Sequence, residues 1–455
     1  MTHPLIALID IGKTNAKVSV IDPQTGTEIR GSRRANAVVQ GPAMRELDVE
    51  AISRWLLDAL RDAPHRDRIR TIVPVAHGAA AALIDRDNRV VAAPDYEDAC
   101  FERVNAEYGQ QRDAYQSTYS PDLPLGLNLG RQLFFLQEAQ PQLFSRVAHA
   151  LLYPQFWAWR LSGVMASEVT SLGCHSDLWL PREQHFSKLA QVRSWDKLFP
   201  PKKLASDVLG PISAEIAAAT GLDPQCQVTS GIHDSNASYL KFLIARDREE
   251  PFTVISSGTW TVVMANRADL SRLREDKDML ASVDAFGSPV ATARFMGGRE
   301  YEAIAGTDVR PNMPALLNVI ERQSMALPAF ASGGPFAGRE GRVINAESLS
   351  GSERASLATL YIALMSELLI EMLGADGAVL IDGPLATNPL FGSILGALLP
   401  ERSIELSSGD GGNTRAACYL ARFHDAPPSP MTPATAASLK GLPAYREAWR
   451  KLLVS

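Results

Sequence analysis

Cysteine is scarce in this chain. Only four of its 455 residues are Cys (Cys100, Cys174, Cys226 and Cys418), far apart and without a C-x-x-C pair. A disulfide framework or a structural zinc site needs denser spacing, so four reduced, mostly buried thiols and a cytoplasmic setting are expected. Long apolar runs are missing too. No stretch approaches about 18 uninterrupted apolar residues, which argues against a membrane span. The opening MTHPLIALIDIG has neither a basic leader nor a small-residue cleavage site, which argues against secretion. Positive charge is not in excess: 45 Lys+Arg stand against 51 Asp+Glu, a formal net charge of −6, so no nucleic-acid partner is expected. What is present is ordinary for a folded chain of two or three domains, with 46% hydrophobic and 21% charged residues.

The periodicity alternates between strand and helix. Leu5–Ile9 predicts a strand buried on both faces, followed by a strand with alternating Val18 and Val20, the turn 22–26 and a third strand near 37–39. A helix is predicted over 48–61, with Ile52, Trp55, Leu56, Ala59 and Leu60 on one face, then strands at 69–75 and 80–84. Aromatic-rich helical segments follow at 132–138 and 151–161, where Trp157 and Trp159 read as core. Next come a helix at 212–220, a strand at 227–230 and a helix at 235–244; the charged stretch 246–251 then breaks the pattern and reads as a hinge. Beyond it the layout repeats, with a strand at 252–255, a tight turn at 256–259 and a strand at 260–264. A long helix over 354–373 ends at Gly374, a strand at 378–381 enters the loop 382–389, and 426–437 is a Pro-rich connector. Two similar α/β lobes are expected, 1–244 and 245–455.

Gly12-Lys13-Thr14 invites a P-loop reading, which fails. Ala7 stands where that loop needs a glycine, and 17–21 alternates like a strand where a helix is required. The dinucleotide pattern G-x-G-x-x-G is absent. The alternative is a phosphate site made of two hairpin turns, where Gly12 and Gly258 let backbone N–H groups approach phosphate oxygens. Thr14, Asn15, Ser257 and Thr259 add short donors, and Lys13 or Lys17 supplies positive charge. Asp10, at the end of the first strand, suits magnesium, with Asp234 as a second carboxylate. Asp234 closes Gly231-Ile232-His233-Asp234 at the mouth of a sheet, where it is either a helix N-cap or a general base toward an attacking hydroxyl. His77, Gly78, Asp98 and His233 sit at positions that suit a polyhydroxylated ligand, although each taken alone is better explained by a structural role. Gly383, Pro384 and Asn388 belong to a strand-to-helix loop that suits a nucleoside or is simply a tight connection.

These motifs together resemble the FGGY family of carbohydrate kinases over nearly the whole chain. Residues 10–17 look like its first phosphate motif, Gly231-x-x-Asp234 like the segment with its catalytic base, and 256–260 like its second phosphate motif in rhamnulokinase and fuculokinase form. Gly383 to Asn388 resembles the adenosine loop, and Gly411-Gly412 with Ala416-Ala417 the last nucleotide-side motif. Residues 153–163 resemble the helix that precedes a Thr-containing segment, here Glu168-Val169-Thr170; His77-Gly78 is similar to a sugar-contacting Met-His-Gly. Lys13 departs from the usual small hydroxyl residue, and Asp-Gly-Pro from a run of glycines. The resemblance implies two lobes of actin-like ATPase (ribonuclease-H-like) fold with a cleft between them, with sugar in the N-terminal lobe and adenosine in the C-terminal one. It implies ATP and Mg2+ as cofactors and phosphorylation of a primary hydroxyl of a ketose or deoxyketose (L-fuculose, L-rhamnulose or a pentulose type); the sequence leaves the oligomeric state open, a homodimer being one option. Rival readings are an actin-like ATPase switch and a sugar-binding regulator without kinase activity.

Overall fold

The computed structural model describes residues 3–306, 309–408, 412–423 and 430–454. The chain divides into two compact units: Met1–Arg246, Ala281–Pro289 and Gly411–Pro428 form the first, and Asp247–Leu280, Val290–Asp410 and Ser429–Ser455 the second. The first break lies inside the charged stretch read as a hinge. Two pieces of the C-terminal half pack with the first unit, which a single cut at 244/245 does not capture.

In the first unit, β1 (Leu5–Ile11) is buried along its whole length except at Asp10, as a strand covered on both faces must be. It pairs antiparallel with β2 (Asn15–Asp22), which pairs antiparallel with the edge strand β3 (Thr27–Ala35). On its other side β1 pairs parallel with β4 (Ile69–Ala76). Beyond β4 lie β5 (Val208–Pro211) and β6 (Gln227–Thr229), β6 parallel to β4 and β5 antiparallel at the far edge. The third strand therefore precedes the expected 37–39. β3 has no apolar alternation and carries exposed Arg30 and Arg33, a charged edge held by its ladder rather than by burial. Val38–Gln40 forms only a small hairpin with Arg45–Leu47.

Helix α1 (Val49–Arg61) is capped by Asp48, which accepts from the Ala51 N–H, and it buries Val49, Ile52, Leu56, Ala59 and Leu60. The aromatic segment at 151–161 is split: His149–Leu152 is a strand, and Pro154 opens α2 (Tyr153–Ser162), whose Trp157 and Trp159 are core. The one-turn α3 (Val169–Leu172) and α4 (Asp234–Leu243) complete what the site needs from this unit.

The second unit repeats the plan. β7 (Phe252–Ser257) is central, and β8 (Thr261–Asn266) and β9 (Pro289–Phe295) follow antiparallel on one side. On the other side β10 (Ala378–Asp382) and β11 (Ile404–Ser407) run parallel, with β12 (Met431–Pro433) antiparallel at the edge. Over these six strands the order and direction match those of the six named in the first unit. β12 falls within the Pro-rich connector, of which 426–429 lies outside the described residues. Helix α5 is Gly297–Ala305, and α6 (Gly351–Leu373) starts three residues before the expected 354 because Ser350 and Glu353 form a capping box. α6 is long and apolar enough to cross a bilayer by length and composition, yet 83% of its most apolar window is buried inside the protein. α7 (Phe391–Leu398) follows β10, and α8 (Gly412–Leu420) packs with the first unit.

Candidate active site

The segment carrying Asp234 is pressed against β4. Gly231 has φ +85°, and a Cβ there would stand 2.6 Å from the Pro74 carbonyl oxygen, so this position requires glycine. Ile232 and His233 then pair parallel with Val75 and Ala76. His233, not Asp234, is the N-cap of α4, and Asp234 is its first helical residue. The cap role considered for Asp234 thus belongs to its neighbour's backbone. Asp234 Oδ1 accepts from the Ser235 N–H at 2.6 Å and lies 3.1 Å from His233 Nε2. Among the described residues Oδ2 has no hydrogen-bond partner, and the side chain is 35% exposed. That oxygen is free to accept a proton.

The surroundings set the charges. Burial works against a charged His233, but Cys174 and Asp234 beside it push it up to about 9. Burial would likewise raise the Cys174 thiol, yet the His175 and His233 imidazoles hold it well below the ordinary thiol range. Asp10 is raised by burial and then by the charge of Asp234, while a hydrogen bond of 3.0 Å from Asn413 Nδ2 to Oδ2 opposes this. The two carboxylates therefore share one electrostatic site. His77 donates through Nδ1 to the Gly78 carbonyl at 2.9 Å, burial lowers its pKa, and its buried Nε2 has no partner. The imidazole is thus neutral, with Nε2 as an acceptor. At Gly78 a Cβ would stand 2.6 Å from His233 Nε2.

The first hairpin turn is well braced. The Gly12 N–H donates to the Asn15 carbonyl at 2.9 Å, and Asn36 Nδ2 donates to the Gly12 carbonyl at 2.8 Å. Asn15 Nδ2 donates to Thr14 Oγ1 at 2.9 Å and its Oδ1 accepts from Arg33 at 3.2 Å. Lys13 turns away from the role expected of it: its ammonium pairs with the fully buried Asp95, lies 3.5 Å from Glu97 and sits 5.0 Å over the Tyr96 ring. Asp95 is also held by Arg45 at 3.0 Å. Lys17 pairs with Glu28 at 2.6 Å. Both lysines are engaged by carboxylates because β3 and the loop 95–97 bring acids to them, which no local pattern announces. Asp98 is structural: it accepts from the Arg45 and Cys100 N–H groups at 2.6 and 2.8 Å and caps Ala99–Val104. Burial would raise its pKa, and those N–H groups hold it low instead.

In the second unit a cavity of about 910 Å³ is lined by Ser257, Gly258 and Thr259 together with Gly297, Gly298 and the apolar Val309, Ile362, Pro384 and Leu385. The Gly258 N–H closes its own turn on the Trp260 carbonyl at 2.9 Å. A Cβ at Gly298 would overlap the Gly258 carbonyl oxygen, and one at Gly297 would overlap Thr261 Oγ1, so this glycine pair lets the N-terminus of α5 press on the turn. Ser257 Oγ donates to the Asp382 carbonyl at 2.6 Å and accepts from the Leu385 N–H at 3.0 Å, so its hydroxyl ties the turn to the loop 383–387. Gly383, with φ +77°, is pressed on the Ser257 carbonyl. Asn388 accepts from the Leu390 and Phe391 N–H groups at 3.0 and 3.1 Å, bracing the entry to α7. Its role is at least partly structural.

Gly411 lies outside the described residues, and Gly412 opens α8. The polar residue of consequence there is Asn413, which joins Asp10 to Ser238 of α4 with bonds of 3.0 and 3.2 Å. Sequence reasoning passed over Asn413, Asp95, Cys174 and the Gly297-Gly298 pair. Only the last had a local signal, two glycines between a strand and a helix. All four cysteines are free and buried. Among the described residues no group of three or more His, Cys, Asp or Glu could hold a metal ion.

Comparison with known proteins bears on this geometry. Residues 5–240 match the model of the N-terminal domain of the FGGY family of carbohydrate kinases, and 249–429 match that of the carbohydrate kinase FGGY C-terminal domain. A carbohydrate kinase from Novosphingobium aromaticivorans is 34% identical, with a TM-score of 0.92 over 100% of this chain and 99% of its own. A rhamnulokinase from Pectobacterium carotovorum is 27% identical over 345 residues, covering 72% of this chain and 66% of the relative, just under two thirds. The fold of a xylulose kinase from Lactobacillus acidophilus superposes with a TM-score of 0.77 at 15% identity, over 99% of this chain and 96% of that one. The duplicated sheets are those of the actin-like ATPase fold, and the chain belongs to the FGGY family of carbohydrate kinases.

Proposed function

We propose that this kinase transfers the γ-phosphoryl group of ATP, with magnesium, to a primary hydroxyl of a small neutral ketose or deoxyketose of the L-rhamnulose, L-fuculose or pentulose type. The observation that carries the reading is Asp234: one carboxylate oxygen is steadied by Ser235 and His233, and the other has no partner among the described residues. A carboxylate so arranged can take the proton of a sugar hydroxyl as its oxygen attacks phosphorus. The first unit supplies the sugar side. There His77 Nε2 is an acceptor, and the nearby cations Lys13 and Arg45 are already matched by Asp95 and Glu97, which suits a neutral polyol better than a sugar acid.

The second unit supplies the nucleotide side. Its cavity has apolar walls for a base and, at one end, the N-terminus of α5 beside the turn Ser257–Thr259, which favours phosphate. Magnesium fits the donor set at Asp10 and Asp234: the two carboxylates, Asp10 raised by burial and by the charge of Asp234, offer hard oxygen ligands, and phosphate oxygens and water would complete the shell. When bound, the ion would neutralise charge on the phosphoryl oxygens. Four free thiols agree with a cytoplasmic enzyme. ADP release measured with and without a panel of ketoses, sugar alcohols and sugar acids tests the reading. Sugar-dependent release confined to ketoses is expected. Release independent of every sugar would instead favour an ATPase switch, and none at all a regulator.

A further inference from the structure

Two buried polar side chains, Thr170 and Gln155, reach the segment 230–234 from elements remote in sequence, and a third, Glu168, stands behind Thr170. Thr170, fully buried on α3, accepts the His233 backbone N–H at 3.1 Å through Oγ1 and donates the hydroxyl proton to Glu168. Glu168 is itself fully buried, and its Oε2 accepts from Thr170 through the hydroxyl and, at 3.0 Å, through the N–H. Gln155 of α2, also fully buried, donates Nε2 to the Ser230 and Gly231 carbonyls at 3.0 and 3.1 Å. Beneath, Gly231 is pressed on Pro74. A buried carboxylate is costly unless its bonds do something, and here they orient one hydroxyl toward one N–H. That N–H belongs to the residue immediately before Asp234, where α4 begins.

We propose that Thr170, oriented by Glu168, and Gln155 are positioning residues for Asp234: they fix the backbone at 230–233 so that its unpartnered carboxylate oxygen points at the acceptor hydroxyl. This rests on the reading of Asp234 as the base. A displacement of about 1 Å at a reacting group costs roughly a hundredfold, and Thr170→Val keeps the shape while removing both hydrogen bonds. The variant is expected to lower kcat about ten- to a hundredfold, with KM for ATP and for sugar within about twofold. Thr170→Ser, which keeps the hydroxyl, should recover kcat to within about threefold of the parent protein.

The decisive arm is a double-mutant cycle with Asp234→Asn. If Thr170 acts through the base, Thr170→Val should change the residual kcat of Asp234→Asn by less than about twofold. Gln155→Met, run the same way, covers the case in which Thr170→Val does not fold. A parental kcat in a folded Thr170→Val, equal losses in the Val and Ser variants, or the full loss repeated in the Asp234→Asn background would each overturn the proposal. Near-normal turnover of Asp234→Asn alone would instead overturn the base reading on which it rests.

Discussion

Gly78→Ala is a small change with a large expected consequence. Gly78 does not have the positive φ that only glycine tolerates readily, so alanine is acceptable to the backbone and the effect is steric. Its Cβ would stand 2.6 Å from His233 Nε2, 3.1 Å from Cδ2 and 3.3 Å from Cε1. Ordinary contact needs about 3.4 Å, so the ring must withdraw by roughly 0.8 Å. It has little room to do so, because Asn236 lies 3.3 Å from Nδ1 and Asp234 3.1 Å from Nε2. Overpacking of this kind costs about 1–3 kcal/mol, and the ring's retreat removes a contact that steadies Asp234. The expected result is a fall of a few degrees in melting temperature and a loss of about ten- to a hundredfold in kcat, with ATP affinity unchanged. The assay is steady-state kinetics with each substrate varied, beside a melting curve and nucleotide titration. Parental kcat and melting temperature together would refute the claim that His233 is held tightly beside the base.

Two further predictions separate the units. Lys13→Met removes the cation held by buried Asp95, but Arg45 remains, so stability should fall by up to about 3 kcal/mol and recover partly in Lys13→Met/Asp95→Asn; a loss of ATP affinity at unchanged melting temperature would restore Lys13 to the phosphate. Gly298→Ala pushes on the Gly258 carbonyl and should weaken ATP binding about tenfold or more while leaving sugar binding unaltered, as checked by calorimetry with each ligand.

Much of the architecture could be read from local pattern. The apolar run of β1, the turn after it and their second appearance at β7 announced the duplicated sheets, because a central buried strand has no polar alternation to hide it. β3 was missed for the converse reason: a charged edge strand looks like a loop until its partner is known. The same limit governed the site. Gly231 and Asp234 lie in one short segment and were visible together. The partners of Lys13 and Lys17, the Asn413 bond to Asp10 and the Thr170 bond to the His233 backbone join residues far apart in sequence. Side chains expected to meet phosphate or nucleoside, Ser257 and Asn388, turned out to tie loops together, since short polar groups serve both purposes equally well.

The central claim is that Asp234 takes the proton of the acceptor hydroxyl. Asp234→Asn preserves size and the capacity to accept from Ser235 through its amide oxygen, but it cannot accept the proton. The measurement is kcat of Asp234→Asn with the preferred sugar, taken with the melting temperature of the same preparation. The account predicts a fall of about 10²–10⁴ in kcat at an unchanged melting temperature. Turnover near that of the parent protein would contradict it.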